Sequence, residues 1–503
     1  MNRVIVGGIF LIVIVSIVVT ANATLKNKKI LVGQENQTPA TVITYPGSDE
    51  IPVSRHYSVK VNDVDSFTCL VNGWESYGYG DYNSWKTVSW TNFAFSDGRV
   101  KIEVITDCEK INTAVVRPLS LGIVPIIDGN KITFSLDRPC KISVEIDEKY
   151  EDDKLFIFAD GLEVDPPNKD DPGVDYFEPG THRDTDYGPG VVYFDAGVHY
   201  ISENSVILSN TTIYLAGGAY VYGSFRNRDK GIENVKIIGR GALCGTHLAH
   251  RDGTGLIALS ARKLAIEGII MVDSPGYNIS VGTPRNGDAI ADNTFANIKI
   301  IGMRLNADGI GASGDGITIN DVFIYSYDDA IDIGSGKYNT RISDCVLYME
   351  KASALKISWN SYGCGNIHVK DIDIIHYDTD SDYMTNEAVI FANHSTPAVV
   401  GDILMENITI ETMNGSNKRF LGMWIRTSIW DPEPDFFGSI KGITIRNLNI
   451  MCETWGNHIF GLSSEHMIED ITFENLTING RRITNAKDAN ITLNEFTDNI
   501  RFE

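Results

Sequence analysis

The stretch Ile443-Thr-Ile445-Arg-Asn447-Leu-Asn-Ile450 decides the fold, because its phrase returns along the second half of the chain. It recurs as Ile317-Thr-Ile319-Asn-Asp321-Val-Phe-Ile324, Ile367-His-Val369-Lys-Asp371-Ile-Asp-Ile374, Ile403-Leu-Met405-Glu-Asn407-Ile-Thr-Ile410 and Ile471-Thr-Phe473-Glu-Asn475-Leu-Thr-Ile478. A degenerate copy runs from Thr340 to Leu347 with Asp344 in the Asp/Asn position. Earlier copies, around Ile298 to Leu305 and Leu264 to Val272, put Gly302 and Gly268 there. Apolar and polar residues alternate with period two in runs too short for helices, so each copy reads as a pair of strands. The copies lie 19, 23, 27, 36, 40 and 28 residues apart, which excludes equal propeller blades and fits a solenoid whose loops vary on one side. A right-handed parallel β-helix is expected, its strands ~4.8 Å apart burying one continuous Ile and Val core. The Asp or Asn between the runs marks a turn, where its side chain bonds nearby backbone and tolerates left-handed geometry.

Ahead of the repeats the pattern changes. Strand-like runs such as Tyr57-Ser-Val-Lys-Val61, Val100-Lys-Ile-Glu-Val-Ile105 and Leu155-Phe-Ile-Phe158 lack the Asp/Asn centre, and a β-sandwich over 50–165 is expected. The Pro-rich, charged stretch from Asp165 to Gly173 separates it from a β-helix over 173–503. Residues 24–49 read as a polar lead-in. An apolar run from Val4 to Val19 behind Arg3, then Ala21-Asn22-Ala23, has the form of a signal peptide over 1–23 and implies a secreted protein. An uncleaved N-terminal anchor is the rival reading.

The chain has 503 residues, 43% hydrophobic and 22% charged, an ordinary globular balance. Its net charge of -23 and lack of a basic stripe exclude nucleic acid as a partner. Seven cysteines without C-x-x-C spacing support neither a zinc site nor a redox motif.

Three aspartates sit one coil apart in this frame: Asp308, in Asn306-Ala307-Asp308-Gly309, and the pair Asp328-Asp329, 20 and 21 residues later. Counted from the end of the second strand in each copy, all three fall at about the same place on adjacent coils. Neighbours in a regular strand point to opposite faces, so a turn or bulge is expected at Asp328-Asp329. Hydrolysis of a glycosidic bond needs one carboxylic acid to protonate the leaving oxygen and a carboxylate to activate water. Crowded carboxylates supply both, since one is driven to keep its proton while its neighbours stay basic. Turn residues or a calcium site are the bland alternatives. The chemistry calls for neither a metal nor an organic cofactor, because side chains provide both functions.

With these motifs the sequence resembles the polysaccharide-hydrolysing β-helix clan that contains the polygalacturonases of glycoside hydrolase family 28 and the dextranases and isopullulanase of family 49. Both families place one Asp before a Gly and an Asp pair one coil later, and both invert the anomeric centre. After the pair, neither the Gly-His-Gly nor the Arg-x-Lys of polygalacturonases is present. Instead the chain runs Ala352-Ser-Ala354-Leu-Lys356-Ile-Ser-Trp359-Asn360 and then Asn366 to His376, which is similar to family 49, as is the preceding sandwich with Leu155-Phe-Ile-Phe-Ala159 followed by Asp171-Pro-Gly-Val174 leading to Tyr176-Phe177-x-Pro179-Gly180-x-His182. The resemblance implies Asp328 as general acid, Asp308 and Asp329 as the residues activating water, and an α-glucan such as dextran as substrate. Lys356, Trp359, His376 and Arg426 are the candidate substrate-binding residues. Asp332 stands where dextranases carry a basic residue, and Lys356 where they carry an acidic or polar one, so the linkage stays open. The alternatives are a polygalacturonase-like hydrolase of pectic polysaccharide, a non-catalytic carbohydrate-binding β-helix, and a polysaccharide lyase.

Overall fold

The computed structural model describes residues 40–503 apart from 74–85, 184–185, 229–230, 251–254, 283–289, 335, 360–362, 381–386 and 428–435, so the expected signal segment lies outside the described residues. The first strands build two stacked sheets. One has the spatial order Val42–Thr44, Thr87–Phe95, Asp153–Gly161, Cys140–Ile146, Ala114–Arg117; the other has Val64–Ser66, Tyr57–Val61, Val100–Thr106, Lys131–Leu136, Ile126–Asp128. Val59, Ile102 and Ile132 from one sheet meet Phe93, Ile142 and Leu155 from the other in a shared core, which makes a β-sandwich. Its edge strand Val42–Thr44 falls inside the stretch expected as a polar lead-in, so the sheet begins before residue 50.

From Val174–Phe177 to Thr497–Phe502 the chain winds as a right-handed parallel β-helix, each coil pairing in parallel with the next. The Asp/Asn between the two runs has left-handed backbone in every late copy: φ is +54° at Asp321, +57° at Asp344, +55° at Asp371 and Asn407, +53° at Asn447 and +56° at Asn475. Their side chains also tie coil to coil, with Asn407 Nδ2 donating to Asp371 (2.9 Å), Asn447 to Asn407 (2.9 Å) and Asn475 to Asn447 (3.0 Å). Gly268 takes this place at φ +83°, as expected, but Gly302 does not. Asn297, at φ +51°, is the turn residue of that coil, and Gly302 lies inside the strand Lys299–Leu305. Each coil carries a third short strand that the repeat did not reveal. These stack as Ile279–Gly282, Ile310–Ala312, Ile331–Asp332, Leu355–Trp359, Ile390–His394, Leu421–Ile425 and Asn457–Phe460.

The sandwich packs on the outer face of the second-run strands. Phe156 meets Phe323 at 4.8 Å and Tyr325 at 5.4 Å between ring centroids. Around these rings lie buried ion pairs: Lys299 with Asp160 (2.6 Å), Lys154 and Lys86 with Glu350 (2.7 and 3.0 Å), and Arg117 with Glu411 (2.6 Å). Burial works against the Glu350 charge, yet the two ammonium groups outweigh it and bring its pKa down to about 2. No helix among the described residues is long and apolar enough to cross a membrane. The seven cysteines are unpaired.

Candidate active site

Asp308 lies in the turn between Lys299–Leu305 and Ile310–Ala312, and Asp328 and Asp329 in the turn between Phe323–Tyr327 and Ile331–Asp332. Ile310 pairs with Ile331, so the two turns stack directly and the expected break in the strand falls at the aspartate pair. Gly309 makes the stacking possible. Its N–H donates to Asp329 O at 2.9 Å, and a Cβ there would lie 2.3 Å from Ala330 O. From the preceding coil, Asn278 Nδ2 donates to the carbonyls of Ala307 (3.1 Å) and Asp308 (3.0 Å). Ser326 Oγ donates to Ala307 O (2.9 Å) and accepts the Asp328 N–H (3.0 Å).

The three carboxyl groups converge, each with an oxygen within 4.8 Å of the others. Asp308 is buried, at 5% exposure, while Asp328 and Asp329 are half-buried. Burial first, and the neighbouring Asp328 second, hold the Asp308 carboxyl well above the usual range. Burial and then Asp329 push Asp328 up to about 6, against the backbone N–H groups of Asp329 (3.0 Å) and Asn306 (3.1 Å) that favour its anion. Asp329 faces two donors, the Lys356 ammonium at 2.9 Å and the Ser353 N–H at 3.1 Å. Burial opposes the charge on Lys356, but Asp329, Asp332 and Asp308 outweigh it and keep the group cationic. An acidic trio like this has the donor set for a hard cation; here a resident ammonium already stands against it. The arrangement offers a proton held on the Asp308–Asp328 pair beside a carboxylate oriented to accept one.

The other expected binding residues divide. Lys356 belongs to the trio's surroundings through Asp329. Trp359 ends its strand with its backbone paired to Asn393, and its side chain lies outside the described residues. Arg426 follows the far end of Leu421–Ile425, away from the aspartate turns, with its guanidinium 4.2 Å from the Trp424 ring and Nε 3.3 Å from Asn393 Oδ1. His376 is corrected outright: it is 0% exposed, lies 2.6 Å from Glu145 of the sandwich and stacks on Tyr348 at 4.4 Å. It faces the docking surface rather than a groove because it sits on the outer face of the second run. Burial opposes its charge, yet Asp378 and Glu145 lift its pKa to about 9.

Sequence reasoning missed Tyr277. Its hydroxyl hydrogen-bonds Asp308, whose charge is the largest cause holding the phenol's pKa above its ordinary value. The ring is 39% exposed and covers Gly311, where a Cβ would come within 3.2 Å of it. Aligning the third strands would have found it, since Tyr277 precedes Ile279 as Asp308 precedes Ile310.

No family model matches the chain, and no curated protein sequence does. Among solved structures, Dex49A from Penicillium minioluteum overlays 92% of this chain and 96% of its own at a TM-score of 0.68 with 16% identity. The fold is that of Dex49A. Fainter likenesses are to a family 28 exopolygalacturonase of Yersinia enterocolitica (TM-score 0.44, 10% identity, 80% of this chain and 97% of that one) and the catalytic domain of a GH87 alpha-1,3-glucanase (0.43, 11%, 92% and 89%).

Proposed function

We propose that the protein is a secreted, inverting glycoside hydrolase of a neutral α-glucan, with dextran the first substrate to try. The carrying observation is the convergence of Asp308, Asp328 and Asp329 with raised pKa values on two of them and a fixed ammonium on the third. Asp328 protonates the leaving oxygen, while Asp308 and Asp329 hold the water between them and Asp329, set against the Lys356 ammonium, takes its proton. The whole-chain likeness to Dex49A, whose name carries the family number of the sequence resemblance, supports this assignment.

Two alternatives lose support. A uronate-gripping enzyme needs an available cation, but Lys356 is engaged by Asp329 and Lys337 by Asp332 at 3.4 Å. A silent binding module gains nothing from crowding three acids at an energetic cost. The oxygens lie closer than the ~6.5–9.5 Å usual between the two carboxyls of inverting enzymes. Two water-binding acids remove the need for a water wedged between one facing pair, so inversion remains the reading. NMR of the first-formed anomer decides it: a β reducing end from an α-linked polymer supports inversion, and an α end refutes it. Parallel digestion of dextran, pullulan and polygalacturonate tests the substrate class, and absence of new reducing ends from all three sinks the assignment.

A further inference from the structure

The turn that carries the catalytic aspartates recurs on each coil between the second and third strands. Four coils beyond Asp329 it presents Glu453, Thr454 and Trp455 ahead of the strand Asn457–Phe460. At ~4.8 Å per coil this places Trp455 about 19 Å along the same edge of the solenoid. Together with Asn479, Arg481, Asp488 and Asn490 of the following coil, these residues line an open cleft of about 480 Å³. That size suits a small ligand.

Hydrogen bonds tie its walls together, and its lining mixes polar groups with the apolar surfaces of Trp455 and Ile478. Asn490 Nδ2 donates to Thr454 O at 2.8 Å, and the buried Asn457 donates to Ala489 O at 3.2 Å, so the two turns are locked together. Asp488 is held by Asn485, through Nδ2 to its carboxylate at 3.0 Å and Oδ1 to its N–H at 2.9 Å. Trp455 is nevertheless 50% exposed, with the Lys418 ammonium 5.9 Å from its ring. A large aromatic surface costs free energy when left in water. Here it stands beside planar donors and acceptors, the combination that a pyranose ring satisfies with its C–H face and its equatorial hydroxyls.

We propose that this cleft is a distal sugar-binding subsite, which holds the same polysaccharide chain that the aspartates cut. The inference rests on the hydrolase reading for the word "same" but not for the binding itself. The test is electrophoresis through gels containing dextran, pullulan or polygalacturonate, using Asp328→Asn so that the gel is not digested. Retardation in at least one gel, weakened about 3- to 10-fold in apparent affinity by adding Trp455→Ala or Arg481→Ala at an unchanged thermal midpoint, is the expected result. In the active protein Trp455→Ala raises KM for the polymer by the same factor. No retardation in any gel, or retardation indifferent to both substitutions, overturns the proposal. If the unaltered protein releases no reducing ends yet is retarded through Trp455, the hydrolase reading fails and the subsite stands.

Discussion

Replacing Asp328 by Asn should weaken the enzyme and strengthen the fold, with a sign that depends on pH. The carboxyl rises from 3.8 to about 6 on folding, so the folded state binds its proton more tightly than the unfolded chain. The stability this contributes is complete below pH 3.8 and is lost as pH rises through about 6. For a fully buried group the loss is about 3 kcal/mol, and water at the half-exposed Asp328 reduces it to about 2. Asn carries no charge and escapes this loss, but it keeps one acceptor oxygen for the two N–H groups of Asn306 and Asp329, costing about 1 kcal/mol. The net expectation is a variant about 1 kcal/mol more stable at pH 8 and about 1 kcal/mol less stable at pH 4. With roughly 1 kcal/mol per degree for a chain of this size, Tm should move up by about 1 °C at pH 8 and down by about 1 °C at pH 4. Differential scanning fluorimetry resolves that crossing, and reducing-end release should fall about 10²- to 10⁴-fold. A variant whose midpoint shifts equally at both pH values, or which keeps its activity, would refute the reasoning.

Other expectations follow from the same geometry. Hydrolysis should decline as pH rises through an apparent pKa near 6, a value belonging to the coupled acids together; a flat rate from pH 5 to 8 contradicts this. Tyr277→Phe removes the hydroxyl that lowers the Asp308 pKa, so kcat should drop about tenfold and the alkaline limb should move to higher pH; an unmoved limb means the phenol does not act on Asp308. His376, lifted from 6.5 to about 9, contributes stability that is complete below pH 6.5 and lost as pH rises through about 9. His376→Gln should cost about 3–5 kcal/mol at pH 6 and flatten that pH dependence in urea unfolding, with no change in the reaction's pH profile. Failure of the variant to flatten the curve would detach His376 from it.

The repeat was legible because left-handed backbone at Asp321, Asp344, Asp371, Asn407, Asn447 and Asn475 admits few residue types, and the chain spends Asp or Asn there each time. The copy holding Gly302 was misregistered by a glycine that serves packing: a Cβ there would come within 3.0 Å of Ala307 O, while Asn297 makes the turn. The third strands carry no comparable signature, since pieces as short as Ile331–Asp332 are defined by pairing and not by composition. The aspartate trio could be read from spacing because one coil of a solenoid converts sequence separation into adjacency. Tyr277 could not, because the third strands whose alignment sets it beside Asp308 carry no signature of their own; nor could the role of His376, which depends on which face of a strand end looks toward a groove and which toward the sandwich.

The bonds running from Asp371 through Asn407 and Asn447 to Asn475 carry one more consequence. Asn407-Ile-Thr409 and Asn475-Leu-Thr477 are N-glycosylation sequons, and the amide nitrogen that would receive the sugar is in each case the one that donates to the neighbouring coil. A glycosylating host would therefore set its transferase and the winding chain in competition for the same atoms. Every glycan added there before folding ends removes a rung on which the next coil registers.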